Sequence, residues 1–309
     1  MFKNEKHILL QKIESSFLKS NGINLYVKRE DLIHPTISGN KWRKLKYNFI
    51  EAEKRGHKAI LTFGGAFSNH IAATASAANQ YGFSSIGVIR GDELTPASNS
   101  TLKQAHELGM QLYFVSRQDY KNRNEPAFLG ELESKFGDFY VIPEGGSNAL
   151  AVKGCAEIVP EIEIDFDHLV TAVGSGGTLA GLACGLDGTR KALGISVLKG
   201  VNYLDEEVAG LIATHKEGGF RNWEINHDHH LGGYAKFNDQ LIDFINKFYT
   251  DHQLLLDPVY TGKMMLAIYN LIEKKYFESN TNVVALHTGG LQGIAGFNAL
   301  HGDLIKYQQ

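Results

Sequence analysis

The sequence contains few cysteines, and this scarcity excludes a fold held together by disulfide bonds. Only two occur among its 309 residues, Cys155 and Cys184, and neither lies in a CxxC or other metal-binding spacing. Both are surrounded by small or apolar residues. We therefore expect buried free thiols and a reducing compartment.

The chain also lacks an excess of charge of either sign and any long apolar run. Its formal net charge is −3 at pH 7, which argues against a nucleic-acid binder. No apolar stretch approaches the ~20 residues of a transmembrane helix. The opening stretch MFKNEKHILLQKIESSFLKS carries scattered charges, so it resembles an amphipathic segment rather than an export signal. These absences predict a cytoplasmic protein with neither a membrane nor a nucleic-acid partner.

Short apolar runs alternate with helical patterns along most of the chain. AILTFG (59–64), SIGVIRG (85–91) and HLVTAVG (168–174) have the length and composition of buried strands, and helical spacing follows each of them. This alternation predicts an α/β protein in which helices flank mostly parallel sheets. The length allows two lobes, and a glycine–serine turn at 145–147 is a candidate crossing between them. The stretch 205–235 shows the least regular pattern.

A glycine-rich loop follows one of these strands and opens a helix. It consists of Gly174, Ser175, Gly176, Gly177 and Thr178. Such a loop offers backbone N–H groups and the positive end of a helix dipole to an anion. The loop has neither the spacing of a dinucleotide fingerprint nor the GK[ST] of a Walker loop, so it suits one terminal phosphate. A tight turn without a ligand is the equally common alternative for such a loop taken alone.

A second glycine loop, FGGAFSNH at 63–70, also leads into a helix. Ser68 is placed to cap that helix, and capping alone would account for a serine there. His70, taken by itself, is more often a structural histidine than a catalyst. The hydroxyl of Ser68, the amide of Asn69 and the free helix N–H groups together predict a pocket for a substrate carboxylate.

Three further polar motifs have less specific patterns. Tyr260 lies in the turn DPVYTGK (257–263), where a lone tyrosine is usually a packing residue with one hydrogen bond. HTGG (287–290) ends a buried strand, and open parallel sheets collect ligand-binding groups at that end. The cluster His227, His229 and His230 has no recognisable partner motif, so we predict that it holds no metal.

The motifs together resemble those of pyridoxal-phosphate enzymes with the tryptophan-synthase-β-like fold, known as fold type II. The similarity is to the group that joins D-cysteine desulfhydrases and 1-aminocyclopropane-1-carboxylate (ACC) deaminases. The segments that carry it are VKREDL (27–32), SGNKWRKL (38–45), SNH (68–70), EGGSN (144–148), GSGGT (174–178), GGY (232–234), DPVYTGK (257–263) and HTGG (287–290). The resemblance implies pyridoxal 5'-phosphate as cofactor, a small amino-acid substrate and a homodimer. We expect a small domain over 43–148 and a large cofactor-binding domain formed by 1–42 and 149–309.

The resemblance also implies roles for individual residues. Lys41 matches the family's Schiff-base lysine, Asn69 the residue beside the cofactor's phenolic oxygen, and Thr288 the neutral partner of the pyridine nitrogen. Residues 174–178 match the phosphate loop. The implied catalytic residues are Lys41, Ser68, Tyr234 and Tyr260, and the implied substrate-binding residues are Ser68, Asn69, His70 and Tyr260. A lysine between a phosphate and a closed apolar cleft loses its proton more readily than the solvated surface lysine that composition alone would favour.

Two departures from the ACC deaminase pattern favour elimination from D-cysteine. Members of that type resemble YEGK where this chain has Thr261, and they have an apolar residue where it has Thr288. A carboxylate keeps the pyridine nitrogen protonated and strengthens the electron sink, which a hydroxyl cannot do. The resemblance thus favours a D-cysteine desulfhydrase, a lyase that yields pyruvate, sulfide and ammonia. An ACC deaminase, a hydrolase that yields 2-oxobutanoate and ammonia, is the alternative.

Other departures leave the range of substrates open. IAATA follows SNH, and GGYAK differs from the GYG-type sequence of better-known members, which puts the role of Tyr234 in question. D-serine or another β-substituted D-amino acid therefore stays a candidate substrate. A non-catalytic binding protein would be expected to have lost the lysine or the phosphate loop, and the sequence has both.

Overall fold

Two sheets organise the structure, a computed structural model that describes residue 2 and residues 8–200, 203–215 and 219–307. The strands in this part of the chain are β1 Leu10–Ile13, β2 Ile23–Lys28, β3 Ala59–Gly64, β4 Ser84–Arg90, β5 Met110–Val115, β6 Tyr140–Ile142, β7 His168–Val173, β8 Lys191–Ser196, β9 Trp223–Asn226 and β10 Thr281–Leu286. The α-helices are α1 Ser16–Ser20, α2 Asn40–Lys54, α3 Asn69–Tyr81, α4 Ser100–Glu107, α5 Pro126–Phe136, α6 Ala149–Ala156, α7 Gly177–Leu186, α8 Leu204–Ala213, α9 Asp239–His252, α10 Thr261–Glu273 and α11 Gly293–His301.

Both sheets are mostly parallel, which confirms the predicted α/β class. The smaller sheet has the order β5-β4-β3-β6, and all its pairs are parallel. The larger sheet has the order β1-β2-β10-β7-β8-β9 and is parallel except where β1 meets β2. Central strands such as β10 are apolar on both faces, since helices cover both sides of a parallel sheet.

Glycines let three helices pack closely enough to bring the sequence motifs together. A side chain at Gly154 of α6 would place its Cβ 2.0 Å from the carbonyl oxygen of Arg43 in α2. At Gly181 of α7 the Cβ would lie 2.3 Å from the Cβ of Cys155 in α6. Only glycine fits at these contacts. Helix α6 therefore packs closely against both α2 and α7, the helix that follows the glycine-rich loop.

A buried ion-pair network fixes α2 to the larger sheet. Arg43 donates to both carboxylate oxygens of Glu30, at 2.9 and 3.1 Å, and to both of Glu161, at 2.6 Å each. Lys28 Nζ lies 3.3 Å from the Glu161 carboxylate. Such two-pronged contacts are geometrically specific. Residues of the VKREDL and SGNKWRKL segments therefore fix the position of α2.

Element boundaries differ from the sequence-based expectation in two regions. The apolar stretch GISVLKGV (194–201) favours a strand, but β8 begins at Lys191 and ends at Ser196, where the Ser196 hydroxyl bonds the Leu198 backbone; residue 201 lies outside the described residues. The irregular stretch 205–235 contains most of helix α8 and all of strand β9. The opening stretch forms β1 and α1, and its residues 1 and 3–7 lie outside the described residues.

The predicted division into domains stays a proposal. The four strands of the smaller sheet lie within 43–148, and those of the larger sheet lie outside it. Helix α2 begins at Asn40 and so crosses the proposed boundary at 42. Cys155 and Cys184 are buried and form no disulfide bond, as predicted. Within the described ranges, no helix has both the length and the apolar character needed to cross a membrane.

Candidate active site

The candidate site lies where parallel strands of both sheets end. The loops after β3, β7 and β10 carry three of the predicted motifs, and such strand ends are the usual ligand site of open α/β sheets. Gly39, before α2, has φ 64°, and a Cβ there would lie 1.9 Å from the Thr288 carbonyl oxygen. The Asn40 N–H donates to that carbonyl at 3.3 Å. Gly39 thus allows the start of α2 to pack directly against the end of β10.

Lys41 lies in the first turn of α2 and points toward the crossing between the lobes. Its Nζ lies 3.2 Å from the carbonyl oxygen of Gly145, in the glycine–serine turn. Burial lowers the pKa of Lys41 well below its ordinary value, and the neighbouring Lys44 ammonium lowers it further. A lysine with a lowered pKa gives up its proton more readily, and the neutral amine can act as a nucleophile or accept a proton. Lys41 is therefore not a solvated surface lysine.

Lys44 is a buried site residue that the sequence reasoning missed. Its Nζ donates to the Gly145 carbonyl and to the Ser147 hydroxyl, each at 3.1 Å. A Cβ at Gly177 would lie 3.0 Å from this nitrogen. The signal was present in SGNKWRKL, because residues three apart share one face of a helix. Lys44 places a cationic group beside the glycine-rich loop.

The glycine-rich loop presents unused hydrogen-bond donors. Among the described residues, no backbone carbonyl accepts from the N–H groups of Ser175, Gly176 and Thr178. The Thr178 hydroxyl accepts from Asn40 Nδ2 at 2.7 Å, and the Ser175 hydroxyl lies 2.7 Å from that of Ser147. Free N–H groups at a helix start with a lysine alongside form a donor set for a phosphate. These residues fit the phosphate of pyridoxal 5'-phosphate.

Ser68 and Asn69 hold the start of α3 at the edge of the site. The Ser68 hydroxyl accepts from the Ile71 N–H at 3.3 Å, which is the capping role that its position predicted. Asn69 Oδ1 accepts from Gln292 Nε2 at 2.8 Å. A Cβ at Gly290 would lie 2.5 Å from Asn69 Nδ2, so the loop after β10 approaches Asn69 closely. Two sequence motifs, SNH and HTGG, therefore meet across the cleft.

His70 is buried, and its hydrogen bonds define its tautomer. Thr62 Oγ1 donates to the Ile142 carbonyl at 2.8 Å, so it must accept from His70 Nε2, also at 2.8 Å. His70 Nδ1 is then an unprotonated acceptor, and none of the described residues donates a hydrogen bond to this buried nitrogen. Burial, then Lys41 and Lys44, lower the pKa of His70 well below its ordinary value. The imidazole is neutral, and its Nδ1 lies 3.3 Å from where a Cβ on Gly146 would be.

Tyr260 and Tyr234 form one wall of the cleft. Their rings are nearly perpendicular, with centroids 6.1 Å apart. A Cβ at Gly174 would lie 3.2 Å from the Tyr260 ring, which places this ring against the start of the glycine-rich loop. Burial raises the pKa of Tyr260 well above its ordinary value, and Tyr234 raises it further. The Tyr260 phenol therefore keeps its proton at physiological pH.

The Thr261 hydroxyl forms both of its hydrogen bonds within its own turn. Its hydroxyl donates to Asp257 Oδ1 at 2.7 Å and accepts from the Asp257 N–H at 2.8 Å, and the residue is fully buried. The single hydroxyl proton is thus used inside the turn and cannot serve a pyridine nitrogen. The hydroxyl of Thr288 differs, because none of the described residues hydrogen-bonds to it. Thr288 stays the candidate partner of the ring nitrogen.

The three clustered histidines bond to different groups. His227 Nε2 lies 2.7 Å from Asp205 Oδ2, and His229 Nδ1 lies 2.7 Å from Asn226 Oδ1. His230 Nδ1 accepts from the Gly232 N–H at 2.9 Å. In the part of the chain that the structure describes, no three His, Cys, Asp or Glu side chains are grouped to hold a metal.

A small apolar cavity adjoins the Asn69 and Tyr260 side chains. Its volume is about 100 Å³, and its lining includes residues of both lobes. Its lining includes Phe67, Asn69, Val259, Tyr260, Phe297 and Leu300. Lys41, the glycine-rich loop and Thr288 do not border it.

Comparisons with known proteins cover nearly the whole chain. The model of the family described as pyridoxal-phosphate dependent enzyme matches residues 10–289. A Thermotoga maritima protein named putative 1-aminocyclopropane-1-carboxylate deaminase is 35% identical over 288 residues, which are 88% of this chain and 90% of that protein. The mitochondrial bifunctional D-cysteine desulfhydrase/1-aminocyclopropane-1-carboxylate deaminase of Arabidopsis thaliana is 33% identical over 297 residues, 89% of this chain and 74% of that one.

A solved structure extends this similarity to the fold. The crystal structure of an ACC deaminase homologue superposes with a TM-score of 0.85 at 29% identity, covering 97% of this chain and 93% of that one. Family, relatives and fold agree with the free donors of the glycine-rich loop and the buried lysine beside it. The chain therefore belongs to the family of pyridoxal-phosphate dependent enzymes and has their tryptophan-synthase-β-like fold.

Proposed function

We propose that the chain is a lyase that eliminates sulfide from D-cysteine, giving pyruvate and ammonia. The observation that carries the choice of substrate is the Asp257 carboxylate. It accepts from the N–H groups of Val259, Tyr260 and Thr261 and from the Thr261 hydroxyl, at 2.7–2.9 Å. With its lone pairs engaged in the turn, this carboxylate is not free to hold a proton on the pyridine nitrogen. The neutral Thr288 is left as partner, and a weaker electron sink suits a substrate with a good leaving group.

Under this proposal the chain holds the cofactor at both ends. The N–H groups of Ser175, Gly176 and Thr178, with Lys44, bind its phosphate, and Asn69 and Thr288 bind the ring. When bound, pyridoxal phosphate supplies an aldehyde that condenses with amines and a ring that accepts an electron pair. Lys41 is the amine that would hold the cofactor covalently between turnovers.

The remaining roles are assigned to groups near Lys41. Ser68, Asn69 and the start of α3 bind the substrate carboxylate, with His70 behind them as a neutral hydrogen-bond acceptor. Lys41 Nζ, once released, takes the proton from Cα, and sulfide leaves Cβ with its electron pair. Tyr260, kept protonated, and Tyr234 cover the reacting atoms and limit access of water. Water converts the remaining three carbons to pyruvate and ammonium.

The alternative is an ACC deaminase, which the name of the Thermotoga maritima relative favours. ACC has no Cα hydrogen and no comparable leaving group, so opening its ring depends more strongly on the electron sink. A homodimer, a cytoplasmic location and the domain division given above belong to the proposal as well. Light scattering of the purified protein tests the dimer.

A comparison of substrates on one preparation tests the proposed activity. D-cysteine should release sulfide and pyruvate, L-cysteine should react weakly, and ACC should give little 2-oxobutanoate. Efficient turnover of ACC without sulfide from D-cysteine would establish the alternative. Borohydride reduction followed by peptide mapping should label Lys41, and a label on another lysine would contradict its assigned role.

A further inference from the structure

A second cavity lies at the opposite edge of the larger sheet from the candidate active site. Its volume is about 660 Å³, which falls within the range of ~300–1,000 Å³ typical of small-molecule sites. Residues at the starts of β7, β8 and β9 line it, whereas the candidate active site lies where strands end. The six residues of β7, about 20 Å of extended chain, separate the cavity from the glycine-rich loop. A ligand in this cavity would therefore contact neither the cofactor nor the substrate.

Strand register places several lining side chains on one face of the sheet. His168 pairs with Lys191 across β7 and β8, and Leu193 pairs with Glu224 across β8 and β9. Partners in register, and residues two apart along one strand, point to the same face. The Glu224 carboxylate accepts from the hydroxyl of Tyr276, just beyond α10. This bond engages the carboxylate and fixes the Tyr276 ring at the wall of the cavity.

The charge around the cavity is mainly positive. Arg190, Lys191 and Arg221 border it, and Glu224 is the acidic residue of its lining. Arg190 bonds to the Asp165 carboxylate at 2.8 Å. Lys191 and Arg221 are exposed, and over the described ranges no carboxylate forms an ion pair with either of them. Two cations without a carboxylate partner suit a ligand with two negative charges, such as a phosphate monoester.

Two buried polar atoms of the lining residues lack a hydrogen-bond partner. Asn222 Nδ2 donates to the carbonyl oxygens of Arg190, at 3.0 Å, and Ala183, at 3.4 Å, which fixes the orientation of its amide. Its Oδ1 and the Nδ1 of His168 are both buried, and none of the described residues bonds to them. Burial, then Lys191, lower the pKa of His168, so its ring is neutral and has one acceptor nitrogen. Because buried acceptors without donors are rare, these atoms indicate a ligand that carries N–H or O–H groups.

Two aromatic rings border the cavity and are held in place. The Trp223 indole N–H donates to the Phe220 carbonyl at 3.0 Å. The Tyr276 ring packs edge-on against Phe277, with centroids 4.9 Å apart, and is 40% exposed. Fixed aromatic surfaces beside cationic groups bind planar heterocycles by stacking. The lining thus offers a stacking surface next to the two cations.

We propose that this cavity is a second binding site, which takes a nucleoside monophosphate. The phosphate pairs with Lys191 and Arg221, and the base stacks on the exposed ring of Tyr276. N–H and O–H groups of the base and ribose donate to Asn222 and His168. Inorganic phosphate would leave the ring and the acceptors unused, and a nucleoside without phosphate would leave the two cations unpaired. The proposal does not depend on which amino acid the active site converts.

Calorimetric titration of the holoenzyme tests this site, because the bound cofactor already fills the glycine-rich loop. AMP, GMP, CMP and UMP are each compared with the corresponding nucleoside and with inorganic phosphate. At least one nucleotide should bind about tenfold more tightly than its nucleoside and than phosphate, since charge and stacking both contribute. Failure of every nucleotide to bind at about 1 mM would overturn the proposal, and so would equal affinities for nucleotide and phosphate.

The visible absorbance of the holoenzyme shows whether the nucleotide binds away from the cofactor. A saturating nucleotide should leave the band of the cofactor unchanged, because the cavity lies at the other end of β7 from the glycine-rich loop. Loss of this band during the titration would mean that the nucleotide displaces the cofactor, and the second site would then be wrong.

Variants at the cavity locate the binding. Lys191→Met and Arg221→Gln should each raise the dissociation constant of the nucleotide about tenfold, since each removes a charge that pairs with the phosphate. Arg117→Gln is the matched control, because Arg117 is exposed and does not border the cavity. It should bind the nucleotide as wild type does, and all three variants should keep wild-type turnover. Unchanged affinity in both cavity variants, or an equal loss in the control, would overturn the proposal.

Discussion

The buried ammonium of Lys263 is bonded to the backbone of the loop that carries Tyr234. Its Nζ donates to the Gly233 carbonyl at 2.7 Å and to the His230 carbonyl at 2.9 Å, and the side chain is only 1% exposed. Leu231, Gly232, Gly233 and Ala235 all have positive φ, so the loop is held in a conformation that two non-glycine residues rarely adopt. Lys263 on α10 therefore holds the loop of Tyr234 next to Tyr260.

Replacing Lys263 by methionine should free this loop. Met keeps the apolar stem but donates no hydrogen bond, so hydrogen exchange of the backbone at 230–236 should become at least tenfold faster. Turnover should fall while cofactor affinity changes little, because Tyr234 loses its fixed position. Lys274→Met, at the exposed end of the same helix, is the control and should alter neither. Unchanged exchange in Lys263→Met would mean that the loop is held by its own turns.

Lys263 should also make stability depend on pH. Burial lowers its pKa to about 8, with Asp257 opposing the shift, whereas the unfolded chain has the ordinary value near 10.5. Between these values the unfolded chain binds more protons, so this group's contribution to the free energy of unfolding rises with pH. Below pH 8 this contribution is at its lowest, on the order of 3 kcal/mol below its value at pH above 10.5. Denaturant titrations should show that the free energy of unfolding of wild type, relative to that of Lys263→Met, increases between pH 8 and pH 10. A difference that does not change with pH would contradict the lowered pKa.

Lys44 should matter for holding the cofactor. Its Nζ lies beside Gly177, and within the described residues it bonds neutral oxygens of Gly145 and Ser147 and no carboxylate, so a phosphate would supply an anionic partner. Lys44→Met should weaken binding of pyridoxal phosphate by ten- to a hundredfold, in keeping with the ~1.5–3 kcal/mol of a charged hydrogen bond. Spectroscopic titration of the apoenzyme measures this. Lys54→Met, exposed on the same helix, should bind the cofactor normally; equal losses in both variants would point to a general charge effect.

Helix packing predicts opposite results for two glycine-to-alanine changes. Gly181→Ala places a Cβ 2.3 Å from that of Cys155, so α6 and α7 must move apart at a cost of about 1–3 kcal/mol. Gly130→Ala in α5 meets nothing within 4 Å and should stabilise the chain by ~0.5–1 kcal/mol through helix propensity. Urea unfolding of both variants is the measurement. A destabilisation of equal size in both would exclude the contact as the cause.

Local patterns predicted most of the sheets, because buried strands such as AILTFG and NVVALHTGG carry their own apolar signal. They failed between 205 and 235, where α8 and the edge strand β9 bury only part of their surface and so show weaker periodicity. Lys44 could have been found from its spacing to Lys41. The hydrogen-bond partner of Thr261 could not have been found from the sequence, because a hydroxyl near a proposed ligand can bond either to that ligand or to its own turn. Side-chain direction in a turn depends on backbone geometry that the sequence does not display.

The Asp257 turn leads to the last prediction. Its carboxylate accepts from three N–H groups and one hydroxyl, and these bonds set the position of Tyr260 against the glycine-rich loop. Asp257→Asn exchanges one acceptor oxygen for a donor nitrogen, which must then face N–H groups in a buried turn. We expect a loss of about 2–3 kcal/mol in the free energy of unfolding and a fall in turnover. Thr261→Ser keeps the hydroxyl that donates to Asp257 Oδ1 and accepts from the Asp257 N–H, so it should cost less than half as much. If the two variants are equally stable, Asp257 is not the centre of the turn, and the argument that its carboxylate is unavailable to the ring nitrogen fails with it.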